Sequence, residues 1–338
     1  MHVVRASMVI LLVACTAVSL CADPVSGNLF YTTFTGANRV FEVPFNFNGT
    51  SFTLGASTAL IGKPPLTGAD GLIFAPDGNL LVGEQSSANI AEVTTAGAFV
   101  KGVSAGTQSF HLALAPNDLV YNVCNGGCGT HAISAVTLSG GGLSGAGVPY
   151  TVSGSDLDVR GVVFDPVNGT WYYGSAADGQ LGDFGTIVFN DVTHTAVTTS
   201  LLTGVAAHGL AFDPFTNDII LNSANTIAQF SPTSGTIVSS LNGPGNFDQA
   251  AADGHGHLLV ASNSGNLEFV DYDKTGLIGA AGNFHAAPFL ATHLDDIAPL
   301  SAPVPETGSV LLLGTVLLGL AAGLRKRLFH QQGTGSAK

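Results

Sequence analysis

Basic side chains are scarce in this chain. Lys and Arg number 10 against 23 Asp and Glu, a formal net charge of −13 over 338 residues. Arg5, Arg325, Lys326, Arg327 and Lys338 sit at the two ends, which leaves Arg39, Lys63, Lys101, Arg160 and Lys274 for the body. So acidic a body cannot displace counterions from phosphate, which excludes a nucleic-acid partner; its charge serves solubility. Cysteine is nearly as rare: of 4 residues, Cys15 and Cys21 fall in the N-terminal apolar stretch, and a four-thiolate metal cage is excluded. Also missing, between residues 23 and 303, is a sustained 3.6-residue apolar period, which excludes a helical body. Charged residues make up 10% of the chain, while Gly alone numbers 44. That balance suits short strands joined by tight turns.

The long apolar runs lie at the termini. Arg5 followed by Met8 to Leu20 reads as a signal peptide over residues 1–22, cleaved near Cys21 or Ala22. At the other end, Val304-Pro305-Glu306-Thr307-Gly308 (residues 304–308) precedes an uncharged run, Ser309 to Leu324, and then Arg325-Lys326-Arg327. As a transmembrane helix, residues 309–324 would span about 24 Å, short of a ~30 Å hydrocarbon core. The positive charge after it would hold residues 325–338 in the cytoplasm.

This three-part tail resembles the PEP-CTERM sorting signal of Gram-negative bacteria, with Thr307 where that motif usually has a second proline. The resemblance covers about the last 35 residues. It implies an exosortase-type processing protease, transient residence in the inner membrane, and release or attachment at the cell surface, often where exopolysaccharide is made. Val-Pro-Glu-Thr-Gly also resembles the LPXTG sortase signal of Gram-positive walls, and an uncut single-span anchor is the third reading. All three make the chain exported.

The body repeats. A unit of Gly-apolar-x-apolar-Asp/Ala-Pro, a short polar turn and a second apolar strand begins at Gly71, His111, Gly161 and Gly209, and in looser form at Gln249. Third strands follow at Ile90, Ile133, Ile187, Ile227 and Leu267. The spacing is about 40–50 residues, the range of propeller blades. The first copy, from Asp23, has a turn and a second strand but no first strand. Leu294 to Leu300 looks like a first strand with no second strand after it, and placing it beside Leu29 to Thr32 would close a ring and remove both sheet edges. The reading is all-β: a single β-propeller over residues 23–303, six-bladed, closed by N- and C-terminal strands, plus the C-terminal sorting helix. Over most of residues 23–300 the repeat resembles propellers of the NHL, YncE and gluconolactonase-like types. Seven blades is the rival, with Asn46 to Pro65 or Gly140 to Ser155 hiding the extra one.

Aligned copies place Asp70, Phe110, Arg160, His208, Asp248 and Asp295 or Asp296 just before each first strand, near the mouth of a central channel. Carboxylates and a histidine there could hold calcium or zinc. The gluconolactonase-like resemblance implies a metal-dependent hydrolase using that plan. Arg160 in the same ring argues the other way, since pairing it with Asp leaves too few free carboxylates. The expectation is therefore no cofactor, no catalytic residue, and a non-catalytic surface or matrix protein that binds exopolysaccharide or a cell-surface protein.

Three further features are singled out. Cys124 and Cys128, separated by Asn125-Gly126-Gly127, would close a small disulfide loop in an oxidising compartment. His255-Gly256-His257 could chelate a metal but falls in a hairpin turn, which reads as solvated. Trp171-Tyr172-Tyr173 could stack a sugar, yet second-strand residues of a blade pack against neighbours.

Overall fold

The computed structural model describes residues 24–35, 39–60 and 66–298. The expected signal peptide, the expected sorting motif from Val304 to Gly308, and residues 309–338, expected to form a helix and tail, lie outside the described residues. No described helix is long and apolar enough to cross a membrane. The described chain is all-β apart from one short 3-10 turn, Gly129–His131.

The described strands form five hydrogen-bonded sheets, of five, nine, four, four and four strands, which divide into six antiparallel units of four or five strands in a propeller-like arrangement. Unit two is representative: Ala69–Phe74, Leu80–Glu84, Asn89–Val93 and Phe99–Ser104 pair in order, from the centre outward. The first strands of the other units are Leu112–Leu114 (three), Gly161–Asp165 (four), Gly209–Asp213 (five) and Phe247–Ala252 (six). Unit one takes its first strand from the far end of the body. Leu294–Ile297 pairs antiparallel with Val25–Thr33, with Tyr31 opposite Ile297 and Thr33 opposite Leu294. The six first strands touch one another in sequence around a ring that closes between units six and one. The stretches that could have hidden a seventh unit are outer strands: Phe52–Leu54 and Thr58–Ala59 complete unit one, and Gly142–Leu143 and Val148–Gly154 complete unit three.

Local chemistry explains the repeat. The turn between first and second strands needs a residue in the left-handed region, supplied by Gly78 (φ 88°), Asp118 (φ 58°), Gly169 (φ 70°) and Asn217 (φ 60°) in units two to five. Gly, Asn and Asp tolerate that conformation best. The glycine that opens the first strand has another cause. A Cβ on Gly71 would lie 2.0 Å from the Phe110 carbonyl oxygen, and one on Gly209 would lie 1.9 Å from that of Asp248. These positions must be bare because the next unit's backbone passes against them.

The apolar core is divided among the junctions. Six buried clusters form, each drawing on two neighbouring units. The one joining units six and one contains Leu29, Phe47, Phe269, Leu294 and Ile297. Second strands such as Asp218–Ser223 are buried on both faces. At about 25 cal/mol per Å² of apolar area, these faces supply most of the fold's stability. Units three and four carry one extra tie: Thr151–Gly154 pairs in parallel with Thr195–Thr198, fusing both into a nine-stranded sheet.

Cys124 and Cys128 are at disulfide distance, with Cα atoms 6.4 Å apart. Tyr172 and Tyr173 are buried, and Trp171 packs edge-on against Tyr121 and Phe189. The solvated-turn reading of His255-Gly256-His257 needs correction. His255 is exposed, but His257 is buried, because Asp253 four residues earlier takes its Nδ1 at 2.6 Å.

Candidate metal centre at the channel mouth

First strands start at the central channel, so their first residues meet there. Asp70 comes from unit two, His111 from the start of unit three, His208 from unit five, Asp248 from unit six, and Asp295 and Asp296 from the closing strand of unit one. All six are buried.

The two imidazoles are oriented alike. His208 Nδ1 lies 2.7 Å from the Ala176 carbonyl oxygen, and His111 Nδ1 lies 3.1 Å from that of Arg160. A carbonyl can only accept, so each Nδ1 donates and each Nε2 is turned inward. His208 Nε2 stands 2.9 Å from Asp248 Oδ1; His111 Nε2 stands 3.7 Å from the same oxygen and 3.4 Å from Asp296 Oδ1. Two sets of three possible ligand atoms result, each within a 4.8 Å span: His111, His208 and Asp248, and Asp70, His111 and Asp296. Asp70 Oδ1, His111 Nε2, Asp295 Oδ2 and Asp296 Oδ1 are buried without a hydrogen-bond partner, and His208 Nε2 and Asp248 Oδ1 are paired only with each other. Leaving one buried polar group unsatisfied costs about 1–3 kcal/mol, so a cluster of four points to a missing ligand.

The carboxylates are held by backbone and by each other's surroundings. Asp296 Oδ2 accepts from the Leu72 amide at 3.1 Å. Thr32 Oγ1 accepts from the Asp296 amide at 3.0 Å and donates to the Asp70 carbonyl at 3.1 Å. The Asn222 amide group donates to the Asp248 carbonyl. Burial pushes Asp70 well above the usual carboxylate range, and the neighbouring charges of Asp296 and Asp248 push it further. Asp295 is raised in the same way, by burial and then by Asp70 and Asp248. Burial also raises Asp296. For Asp248 burial acts upward too, but the adjacent imidazoles of His111 and His208 outweigh it and hold this group below the range. Burial would lower His111, yet Asp296 and Asp248 lift it well above its ordinary value. Without an ion, the site must keep protons to limit repulsion among its acids.

The cluster opens into a cavity of about 270 Å³, lined also by Phe34, Gln85, Phe110, Asn125 and Asn263. Phe110 stacks on His111, with centroids 4.0 Å apart, and meets His208 edge-on.

The aligned positions thus split. Asp70, His208, Asp248, Asp295 and Asp296 come together; Arg160 does not join them. Its guanidinium pairs with Asp158 at 2.9 Å and donates to Asn125 Oδ1 at 3.0 Å, and only its carbonyl serves the site. The expected arginine–aspartate network at the mouth is corrected accordingly: no Lys or Arg among the described residues ion-pairs with these carboxylates. Aligning Phe110 with the other candidates hid His111, which fills the slot that holds Gly71, Gly161 and Gly209 elsewhere. A large polar residue in a glycine slot was the available signal.

No family model matches the chain, and no curated protein matches it. Solved structures do. A Bacteroides caccae protein of unknown function superposes with a TM-score of 0.52 at 13% identity, over 81% of this chain and 98% of that one. A 6-phosphogluconolactonase-like protein of Bacteroides uniformis gives 0.50 at 13% identity, over 80% and 98%. Virginiamycin B lyase from Staphylococcus aureus gives 0.48 at 12% identity, over 79% and 88%. At such identities the likeness shows the fold alone, which is β-propeller-like.

Proposed function

We propose that the protein is a metal-dependent enzyme, built as one six-bladed propeller, whose ion sits among His111, His208 and Asp248 with Asp70 and Asp296 beside it. One observation carries this. Two imidazoles, each with Nδ1 committed to a backbone carbonyl, turn their Nε2 atoms toward the same buried carboxylate oxygen. Backbone partners on the outer nitrogen are how proteins orient metal-binding histidines. Two imidazoles with carboxylates suit a borderline transition ion such as Zn²⁺ better than Ca²⁺, which takes oxygen ligands. Such an ion would polarise a carbonyl or phosphoryl oxygen, or lower the pKa of a bound water, for a substrate small enough for the cavity above it. The amides of Gln85, Asn125 and Asn263 around that cavity suit an oxygen-rich polar molecule.

Export belongs to the same proposal: leader removal, cleavage at Val304 to Gly308 by an exosortase-type protease, and a surface or extracellular destination. The Cys124–Cys128 pair fits an oxidising compartment. A non-catalytic role in binding exopolysaccharide or a cell-surface protein is the second reading; it is favoured by the amide-rich rim rather than by the buried cluster.

The test is metal analysis of the purified full chain, dialysed against zinc, manganese and calcium in turn. One tightly held transition ion, lost in His208→Ala and in Asp248→Asn, is expected at this site. A folded wild-type protein whose metal content is unchanged by those substitutions would overturn the assignment.

A further inference from the structure

A second group of ligand-type side chains lies at the far end of unit six, roughly 13 Å along the strand from Asp248. His257 opens the second strand, His257–Ser262, and Asp271 ends the third, Leu267–Asp271; the two are direct cross-strand partners. His285 is the middle residue of the fourth strand, Phe284–Ala286, where the register slips. Three neighbouring strands thereby set an imidazole, a carboxylate and an imidazole side by side. Their positions in the chain, 257, 271 and 285, give no hint of this.

We propose that His257, Asp271 and His285 form a second site for a divalent transition ion such as Zn²⁺, with Asp253 orienting the first ligand. The argument starts at His257 Nδ1, which lies 2.6 Å from Asp253 Oδ2. The same carboxylate's other oxygen accepts from the backbone amides of His255 and His257, so Asp253 is fixed in place. The Nδ1 proton is therefore held on the Asp253 side, and Nε2 is the free nitrogen. That atom is buried without a hydrogen-bond partner, and its side chain is 1% exposed. It faces Asp271 Oδ1 at 3.9 Å, while His285 Nε2 faces Asp271 Oδ2 at 3.7 Å. Both gaps are too long for hydrogen bonds. Two donors about 2.0–2.1 Å from one zinc ion in a tetrahedral arrangement stand about 3.4 Å apart, close to these two gaps. The imidazoles approach different oxygens of Asp271 and the trio is wider than the channel-mouth sets, so the rings must swing toward one carboxylate oxygen to close the shell.

The surroundings fit. Phe47 of unit one packs against both imidazoles, with centroids 6.0 Å from His257 and 4.9 Å from His285, and Phe269 lies 5.8 and 6.2 Å from the same rings. These rings keep water from the inner side. His285, 20% exposed, leaves an entrance from solvent. An ion here would tie the second, third and fourth strands of unit six together at the junction with unit one, where the ring closes. It shares no ligand with the channel mouth.

The experiment strips the full chain with a chelator and titrates it with Zn²⁺, reading stoichiometry and melting temperature, with Co²⁺ absorption as the ligand-field signature. The His111→Ala/His208→Ala chain should still bind one Zn²⁺, with a melting-temperature rise of about 5–10 °C at a hundredfold excess over Kd. Adding His285→Ala should abolish both the ion and the rise. Because His285 is half-buried, the single variant His285→Ala should fold, and its zinc content should fall by one relative to wild type. An unchanged zinc content in folded His285→Ala overturns the site, as does a folded channel variant that binds no zinc. An ion lost on His208→Ala but indifferent to His285→Ala would sustain the channel centre and refute this one; the reverse would do the opposite.

Discussion

Thr32 joins the two ends of the chain and the candidate centre through one hydroxyl, so its replacement by valine tests both. Thr32→Val preserves side-chain shape at a position with no exposure. It removes the acceptor of the Asp296 amide and the donor to the Asp70 carbonyl, contacts of 3.0 and 3.1 Å. Both backbone groups are deep in the seam between units one and two. An unsatisfied buried donor costs about 1–3 kcal/mol, and the weakened carbonyl adds a fraction of that. For a domain of this size each kcal/mol lowers Tm by roughly 2–4 °C, so a drop of about 2–12 °C is expected. The measurement is calorimetric melting of Thr32→Val beside Thr32→Ser, which keeps the hydroxyl. The serine variant should lose less than half as much. Because Asp70 and Asp296 both shift when the bridge goes, the valine variant should also bind metal at the channel mouth more weakly. Equal melting of wild type and Thr32→Val, with the valine variant folded, would refute the view that this hydroxyl fastens the seam.

Other outcomes follow from single contacts. Glu268 is buried with neither carboxylate oxygen hydrogen-bonded, and burial raises its pKa from 4.5 to about 7. Its folded form holds a proton that the unfolded form releases, so stability falls as pH rises from about 4.5 to 7 and is flat above. Glu268→Gln should therefore raise stability at pH 8, by about 2 kcal/mol after allowing for residual solvent screening, and leave pH 4 melting nearly unchanged; a pH-independent effect would show the carboxyl is not the cause. Gly209→Ala would set a Cβ 1.9 Å from the Asp248 carbonyl, so it should cost on the order of 3 kcal/mol and displace a proposed ligand, visible as lost metal and lowered Tm together. Thiol labelling of the native, unreduced protein should find Cys124 and Cys128 unreactive, and reducing so short a loop should cost at most about 3 kcal/mol.

The units were legible because each is announced by backbone chemistry that few residues can supply. The Pro-Asp-Gly and Pro-Asn-Asp turns require left-handed residues, and glycine opens a strand wherever the next unit's carbonyl presses on it. The closing strand was legible because Leu294 to Leu300 had no partner of its own. The parallel tie between units three and four was not legible, since nothing in Val148–Gly154 or Thr195–Val205 marks which outer strand will find another. Within the site, Asp70, His208 and Asp248 could be aligned because they flank the same strand start. Arg160 misled because position in a repeat fixes the backbone, whereas a long guanidinium goes where acceptors are, here to Asp158 two residues away and Asn125 in the preceding unit. His257 was hidden for the converse reason: a turn reads as wet until a carboxylate in the same turn folds the ring inward.

The pairing of Leu294–Ile297 with Val25–Thr33 also sets an order in time. A chain made from its N-terminus displays the second strand of unit one about 260 residues before that strand's inner neighbour exists. Until then the edge stays open, and two of the carboxylates at the channel mouth, Asp295 and Asp296, have not been synthesised. Contacts of such long separation make for slow folding and a growing intermediate that invites wrong strand pairing. Completion of the ring and completion of the centre are therefore one event. His111, His208 and Asp248 are made earlier, but the proposed ion would gain Asp296 beside it only in a chain that has closed.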